Sequence, residues 1–206
     1  MTSGVPVNPD ASDAVPALLK ILQYPDVNWH VVEALAKVGR NAMPALIQAL
    51  QDPKNRQHVV EVLAKIGEDA SDAVPALVQL LSDEDANVRA SVVWALAKIG
   101  KSAVPSLIQM LQSKNVQTRI SAAGILGQIE TLDATPALMQ ALQDSDLRVR
   151  REAALALGHI EAVDAVSALI KLLQDENESV RFHAVLALKQ IGTAEALKAA
   201  EEYELR

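Results

Sequence analysis

The sequence predicts an all-α fold, an α-solenoid of about six two-helix repeats closed by a C-terminal capping helix. Three observations predict it. One nine-residue segment recurs six times at nearly constant spacing, each copy is followed by a second stretch of helical periodicity, and 50% of the residues are hydrophobic while only 2% are aromatic. A core so poor in rings must be assembled from Leu, Ile, Val and Ala, and short repeating helices bury such a core only by stacking on one another.

The recurring segment reads AVPALLKIL, AMPALIQAL, AVPALVQLL, AVPSLIQML, ATPALMQAL and AVSALIKLL. Its third residue falls at Pro16, Pro44, Pro75, Pro105, Pro136 and Ser167, separated by 28, 31, 30, 31 and 31 residues, and Glu195 opens a partial seventh copy. Leu18, Leu19 and Leu22, which become Leu77, Val78 and Leu81 and then Leu169, Ile170 and Leu173, form one apolar stripe at i, i+1, i+4. Asp13, Asn41, Asp72, Ser102, Asp133 and Asp164 precede each copy and are expected as N-caps of the first helix, with the proline in its first turn. The second helix, as in NVRASVVWALAKIG, buries the column Leu35, Leu63, Leu96, Leu126, Leu157 and Leu188, and ends at Gly39, Gly67, Gly100 and Gly192, with Glu130 and Glu161 in the two remaining copies. Residues 1–12 then form an N-terminal tail and 13–206 a single repeat domain, with units starting near 13, 41, 72, 102, 133 and 164 and a partial unit from 193.

These residues carry a resemblance. The two-helix unit of about 31 residues, its P-A-L opening and the pattern D-x-x-x-x-V-R-x-x-A-x-x-A-L-x-x-I-G, clearest at Asp144 to Ile160 and Asp175 to Gly192, resemble the HEAT-like repeats, in particular the phycobilisome bilin lyase type. The likeness covers residues 13 to 206, and repeat one departs furthest from it, with Tyr24 and Asn28 where Asp and Arg are expected. The resemblance implies that the second helices line a concave groove. It also implies an alternative to simple binding, a bilin lyase subunit or phycobilisome-turnover protein that handles a tetrapyrrole or its carrier protein.

Two polar columns serve the stack. Arg56, Arg89, Arg119, Arg150 and Arg181 recur beside Asp52, Asp83, Asp144 and Asp175, which together predict an inter-repeat Arg–Asp ladder, weakest in repeat four where Ser113 replaces the acid. The outer column Lys20, Gln48, Gln79, Gln109, Gln140 and Lys171 is a uniform solvated face.

The exposed columns of the second helices are diverse instead, and hold both tryptophans, the one phenylalanine and all four histidines. The expected partner surface is therefore Trp29, His30, Glu33, His58, Glu61, Trp94, Ile120, Arg151, Leu155, His159, Phe182, His183 and Leu186. Repeats one and two supply a polar stretch, and Trp94 to Leu186 an apolar one. The function this supports is a non-catalytic protein–protein interaction scaffold or adaptor that binds a partner protein in the groove, with hetero-oligomerisation as one form of that binding.

Catalytic and cofactor signatures are sparse. No G-x-S-x-G, P-loop or G-x-G-x-x-G occurs, there is no cysteine, and no Ser–His–Asp grouping emerges from the pattern. His30 with Glu33 and His58 with Glu61 share helix faces at i, i+3 and offer a set for Zn or Fe, but neighbouring helices stand about 10 Å apart whereas ligands must come within about 2 Å of the ion. The resemblance adds that the HEAT-repeat deoxyhypusine hydroxylase binds iron through adjacent His-Glu dipeptides, which this chain lacks. No cofactor is expected, with bilin and a Zn or Fe ion as the alternatives. Charge is even along the chain, with a net −7 and no basic patch, so nucleic acid is not an expected partner. The first fifteen residues have no basic n-region or apolar run, so a cytoplasmic protein without membrane insertion is expected.

Overall fold

A computed structural model describes residues 11–22, 24 and 29–205. The tail 1–10 and Asn28 lie outside the described residues. Thirteen α-helices and no strand occur among them, as the periodicity requires. The chain divides into two compact units, residues 1–99 and 100–206.

The N-terminal unit holds three helix pairs: α1 (Val15–Leu22) with α2 (Trp29–Val38), α3 (Met43–Ala49) with α4 (Arg56–Ile66), and α5 (Val74–Gln79) with α6 (Ala86–Ile99). The second helices stack in the order α2, α4, α6. The C-terminal unit repeats the arrangement with α7 (Val104–Met110) and α8 (Val116–Ile129), α9 (Thr135–Ala141) and α10 (Leu147–His159), and α11 (Val166–Leu172) and α12 (Glu178–Ile191). There α8, α10 and α12 stack in turn, and α13 (Ala194–Glu204) closes the end against α11 and α12. The leucine column at Leu35, Leu63, Leu96, Leu126, Leu157 and Leu188 is fully buried, because each of these side chains points from a second helix into the layer shared with the first helices.

The expected N-caps of the first helices are a correction. Asp13, Asn41, Asp72, Ser102, Asp133 and Asp164 all sit inside short 3-10 turns that run straight into the helix. From the second repeat onward the cap is Ala42, Ala73, Ala103, Ala134 or Ala165, whose side chain accepts nothing. A 3-10 turn continues the chain of amide–carbonyl bonds, so no side-chain acceptor is needed there. The proline lies in the first turn, as expected. Side-chain caps occur on α8, α10 and α12, where Asn115 accepts from the Thr118 amide, Asp146 from Arg148, and Asn177 from Ser179 and Val180, and on α13, where Thr193 accepts from the Ala196 amide.

The ladder exists, and its direction decides where it is strong. Arg56, Arg119 and Arg150 each grip a carbonyl of their own inter-helix turn and reach forward to the acid of the next repeat, whereas Arg89 donates to the Asp83 and Glu84 carbonyls of its own turn at 2.7 and 2.9 Å. Arg119 donates to the Ser113 carbonyl at 2.8 Å and bidentately to Asp144 at 2.7 and 2.9 Å. Arg150 donates to the Asp144 carbonyl at 2.9 Å and to Asp175 at 2.8 and 3.0 Å. Arg56 pairs with Asp83. Because the bond runs forward, Ser113 leaves the Arg119 rung intact, and the rung that lacks its acid is that of Arg89, whose bonds go to the carbonyls of its own turn; the Ser113 hydroxyl accepts from the Asn115 amide at 3.2 Å, as Asp144 does from Asp146 and Asp175 from Asn177. The last rung is a phenol: Arg181 donates to the Tyr203 hydroxyl at 2.8 Å.

Burial would push the Asp144 and Asp175 carboxyls up. The hydrogen bonds from Arg119 and Arg150, joined by the backbone amides of Asp146 and Asn177, outweigh that and hold both below the ordinary carboxylate range.

Small residues set the approach of α8, α10 and α12. A Cβ on Gly127 would lie 2.9 Å from the Ala156 Cα, and one on Gly158 2.9 Å from the Ala187 Cα. Gly158→Val is therefore expected to cost about 1–3 kcal/mol, read as a lower denaturant midpoint. Gly124→Ala is the contrast, since its added methyl meets only the flexible end of Glu152; an equal loss there would show that backbone approach is not what Gly158 serves.

Candidate partner-binding groove

The N-terminal unit carries a groove of about 580 Å³ across three successive second helices. Trp29 and Val32 come from α2, His58, Glu61 and Lys65 from α4, and Ala90, Ser91 and Trp94 from α6. Trp29 is 59% and Trp94 46% exposed, so both indoles stand open on a surface whose helices are otherwise well packed. Their positions follow from helical phase: the buried leucine of each second helix faces the core, and residues two or six places before it fall on the opposite side.

The polar groups of the groove are unequally engaged. The His58 Nδ1 is buried and meets no hydrogen-bond partner. The Lys65 ammonium lies 5.9 Å from the Trp29 ring centroid, at the limit of a cation–π contact. Glu33 is paired with Lys37 at 3.3 Å, one helical turn away. His30 stacks obliquely on Trp29, with ring centroids 4.0 Å apart.

The sequence divided this face between repeats two and three, with Trp94 beginning an apolar stretch. The structure instead brings Trp94 into one groove with Trp29, His58 and Glu61. Periodicity placed all four on the same face, but the reach of an indole across a neighbouring helix is not visible in a column of letters. Val32, Ala90 and Ser91, which line the groove, were not singled out, because small and aliphatic residues carry no signal of their own. Lys65 lies on α4, four residues beyond Glu61.

The remaining site residues lie on the second helices of the C-terminal unit. Ile120, Arg151, Leu155, His183 and Leu186 are half-buried, while His159 and Phe182 are exposed. Phe182 meets the edge of His183 at 5.4 Å between centroids, and the His183 Nδ1 donates to the Ser179 carbonyl 2.6 Å away. The Arg151 Nε is buried without a partner. Among the described residues no group of three or more His, Asp and Glu side chains is arranged to hold a metal ion, and His30, Glu33, His58 and Glu61 form no such group. No helix among them is long and apolar enough to cross a membrane.

Comparison by sequence with characterised proteins gives no match. Solved structures share the fold. The complex of CpcE and CpcF of phycocyanin lyase from Nostoc sp. aligns with a TM-score of 0.53 at 24% identity over 71% of this chain and 97% of that one. A designed armadillo repeat protein in complex with the peptide (KR)4 gives 0.50 at 22% over 90% and 96%, and human deoxyhypusine hydroxylase in complex with glycerol 0.50 at 19% over 88% and 96%. The profile of HEAT repeats matches residues 43–116, 104–173 and 135–203. With residues 43–203, most of its length, covered by that profile, the chain belongs to the HEAT repeat family.

Proposed function

We propose that this chain is a non-catalytic interaction module that holds a partner protein against its second helices, with the principal contacts in the groove between Trp29 and Trp94. The observation that carries this reading is that both tryptophans of the chain open onto one groove. An exposed indole has a cost in solubility that stacking does not recover, and two of them on one concavity make a pair of anchors around which a polypeptide can bury apolar area. His58 supports the same reading, since its unpartnered Nδ1 can gain a hydrogen bond when a backbone or side chain enters.

Within this proposal Trp29 and Trp94 anchor, and His30, Glu33, His58 and Glu61 fix orientation. Ile120, Arg151, Leu155, His159, Phe182, His183 and Leu186 provide the contacts of the C-terminal unit. The test is retention of a copurifying partner by the full chain carrying Gln79→Ala and Gln109→Ala, on the outer helices, and its loss in Trp29→Ala and Trp94→Ala. Retention in the tryptophan variants would reject the groove. The bilin-handling alternative draws on likeness of fold alone, and the expected result for the purified chain mixed with a bilin is no induced shift of the visible absorption.

A further inference from the structure

A second pocket, of about 590 Å³, lies on the C-terminal unit away from its second-helix face. Leu132, Thr135, Pro136 and Met139 form one side, and Glu161, Ala162, Val163 and Asp164 the other. It is built from the two linkers that join α8 to α9 and α10 to α11, and three departures from the repeat meet there.

The first is apolar exposure. Leu132 is 62% and Val163 58% exposed, at equivalent places in successive linkers, whereas the linkers of the first three repeats read GRNA, GEDASDA and GKSA. The second is a hydroxyl. The first residue of the first helix is Val15, Met43, Val74, Val104 and Val166 in the other repeats, but Thr135 here; the residue lines the pocket, and its Oγ1 is buried without a hydrogen-bond partner. The third is backbone strain. Glycine takes the left-handed conformation after four of the second helices, but Glu130 and Glu161 take it after α8 and α10, with φ of 55° and 50°. A residue with a side chain is strained in that region. Glu161 and Asp164 line the pocket beside Val163, Glu130 and Asp133 hold the equivalent places in the preceding linker, and no basic residue lines the pocket.

We infer that this linker pocket is a second docking site, independent of the tryptophan groove, for a segment of another protein that presents an aliphatic side chain flanked by lysine or arginine. The aliphatic group sits between Leu132 and Val163 against Met139. The flanking cations face Glu161 and Asp164, which line the pocket, and the Thr135 hydroxyl takes the hydrogen bond it lacks from the entering backbone.

The experiment uses fluorescence polarisation of the full chain with three labelled peptides: Lys-Arg-Leu-Leu-Arg-Lys, its charge-reversed form Glu-Asp-Leu-Leu-Asp-Glu, and Lys-Arg-Ser-Ser-Arg-Lys. Saturable binding of the first alone is expected. Leu132→Ser with Val163→Ser should weaken it about tenfold or more, and Trp94→Ala should leave it unchanged. Glu161→Gly provides the arm that misfolding cannot mimic, because it relieves the backbone strain: a raised unfolding midpoint with weaker peptide binding is the expected pair. No saturable binding, equal binding of the acidic or serine peptide, or full affinity in Leu132→Ser with Val163→Ser would overturn the assignment. Loss of peptide binding in Trp94→Ala would show that the peptide reads the tryptophan groove instead, and would also overturn it.

Discussion

Trp29→Ala and Trp94→Ala are each expected to weaken binding of a partner by about thirtyfold while leaving far-UV circular dichroism unchanged. Truncating an aromatic anchor at the centre of an interface commonly costs ~2 kcal/mol, and that converts to the stated factor. Both rings are largely open in the free chain, so removing them subtracts little from the core and the helices should survive. The double variant measures whether the two act together. If a partner touches both rings at once, the two losses fall short of or exceed their sum, whereas independent contacts add. Phe182→Ala asks the same of the C-terminal unit. Unaltered affinity in all three variants would remove the second-helix face as the working surface.

Arg150→Ala is expected to lower stability by about 3–5 kcal/mol, the largest effect of any single ladder change. Arg150 is the most buried of the paired arginines, and its loss strands the Asp175 carboxylate together with the carbonyls of Asp144 and Ser145. Replacing both partners, as Arg150→Met with Asp175→Leu, should recover much of that loss, because no uncompensated charge then remains inside. Recovery no better than the single variant would mean that the turn carbonyls matter more than the ion pair. Acid adds a second reading. Asp144 and Asp175 have folded-state pKa values below the unfolded value of 3.8, so their contribution is complete above that pH. It is lost as the pH falls through 3.8 toward the lower folded values. A fall in stability below about pH 4 should therefore be shallower in the Arg150→Met, Asp175→Leu protein.

Much of the fold was legible because repetition averages out local ambiguity. A single AVPALLKIL is only a short apolar run, but six copies at one spacing define the start of the first helix, and the leucine column of the second helix needs no other support. The cap of the first helix was misplaced because aspartate before an apolar run has the same appearance whether a 3-10 turn follows it or a helix does. The direction of the ladder was also hidden. Two columns in one sequence show which residues pair, not whether an arginine looks forward or back, and only the Arg119–Asp144 and Arg150–Asp175 contacts decide that. The linker pocket is not legible in the sequence because the residues that mark it, Leu132, Val163 and Thr135, are exceptions to the columns.

The placement of both tryptophans gives the molecule a built-in optical division. Every indole in the chain belongs to the groove of the N-terminal unit, while the C-terminal unit offers only Phe182 and Tyr203 as ring chromophores. Selective indole emission therefore reports on residues 29–94 and is blind to the rest, whereas circular dichroism weights all thirteen helices. Heating the unlabelled protein with both probes asks whether the units melt together: superimposed curves mean one cooperative transition, and an emission change offset from the loss of helicity means two. The same emission would follow a ligand entering the groove without any dye, and would stay silent when the linker pocket is filled.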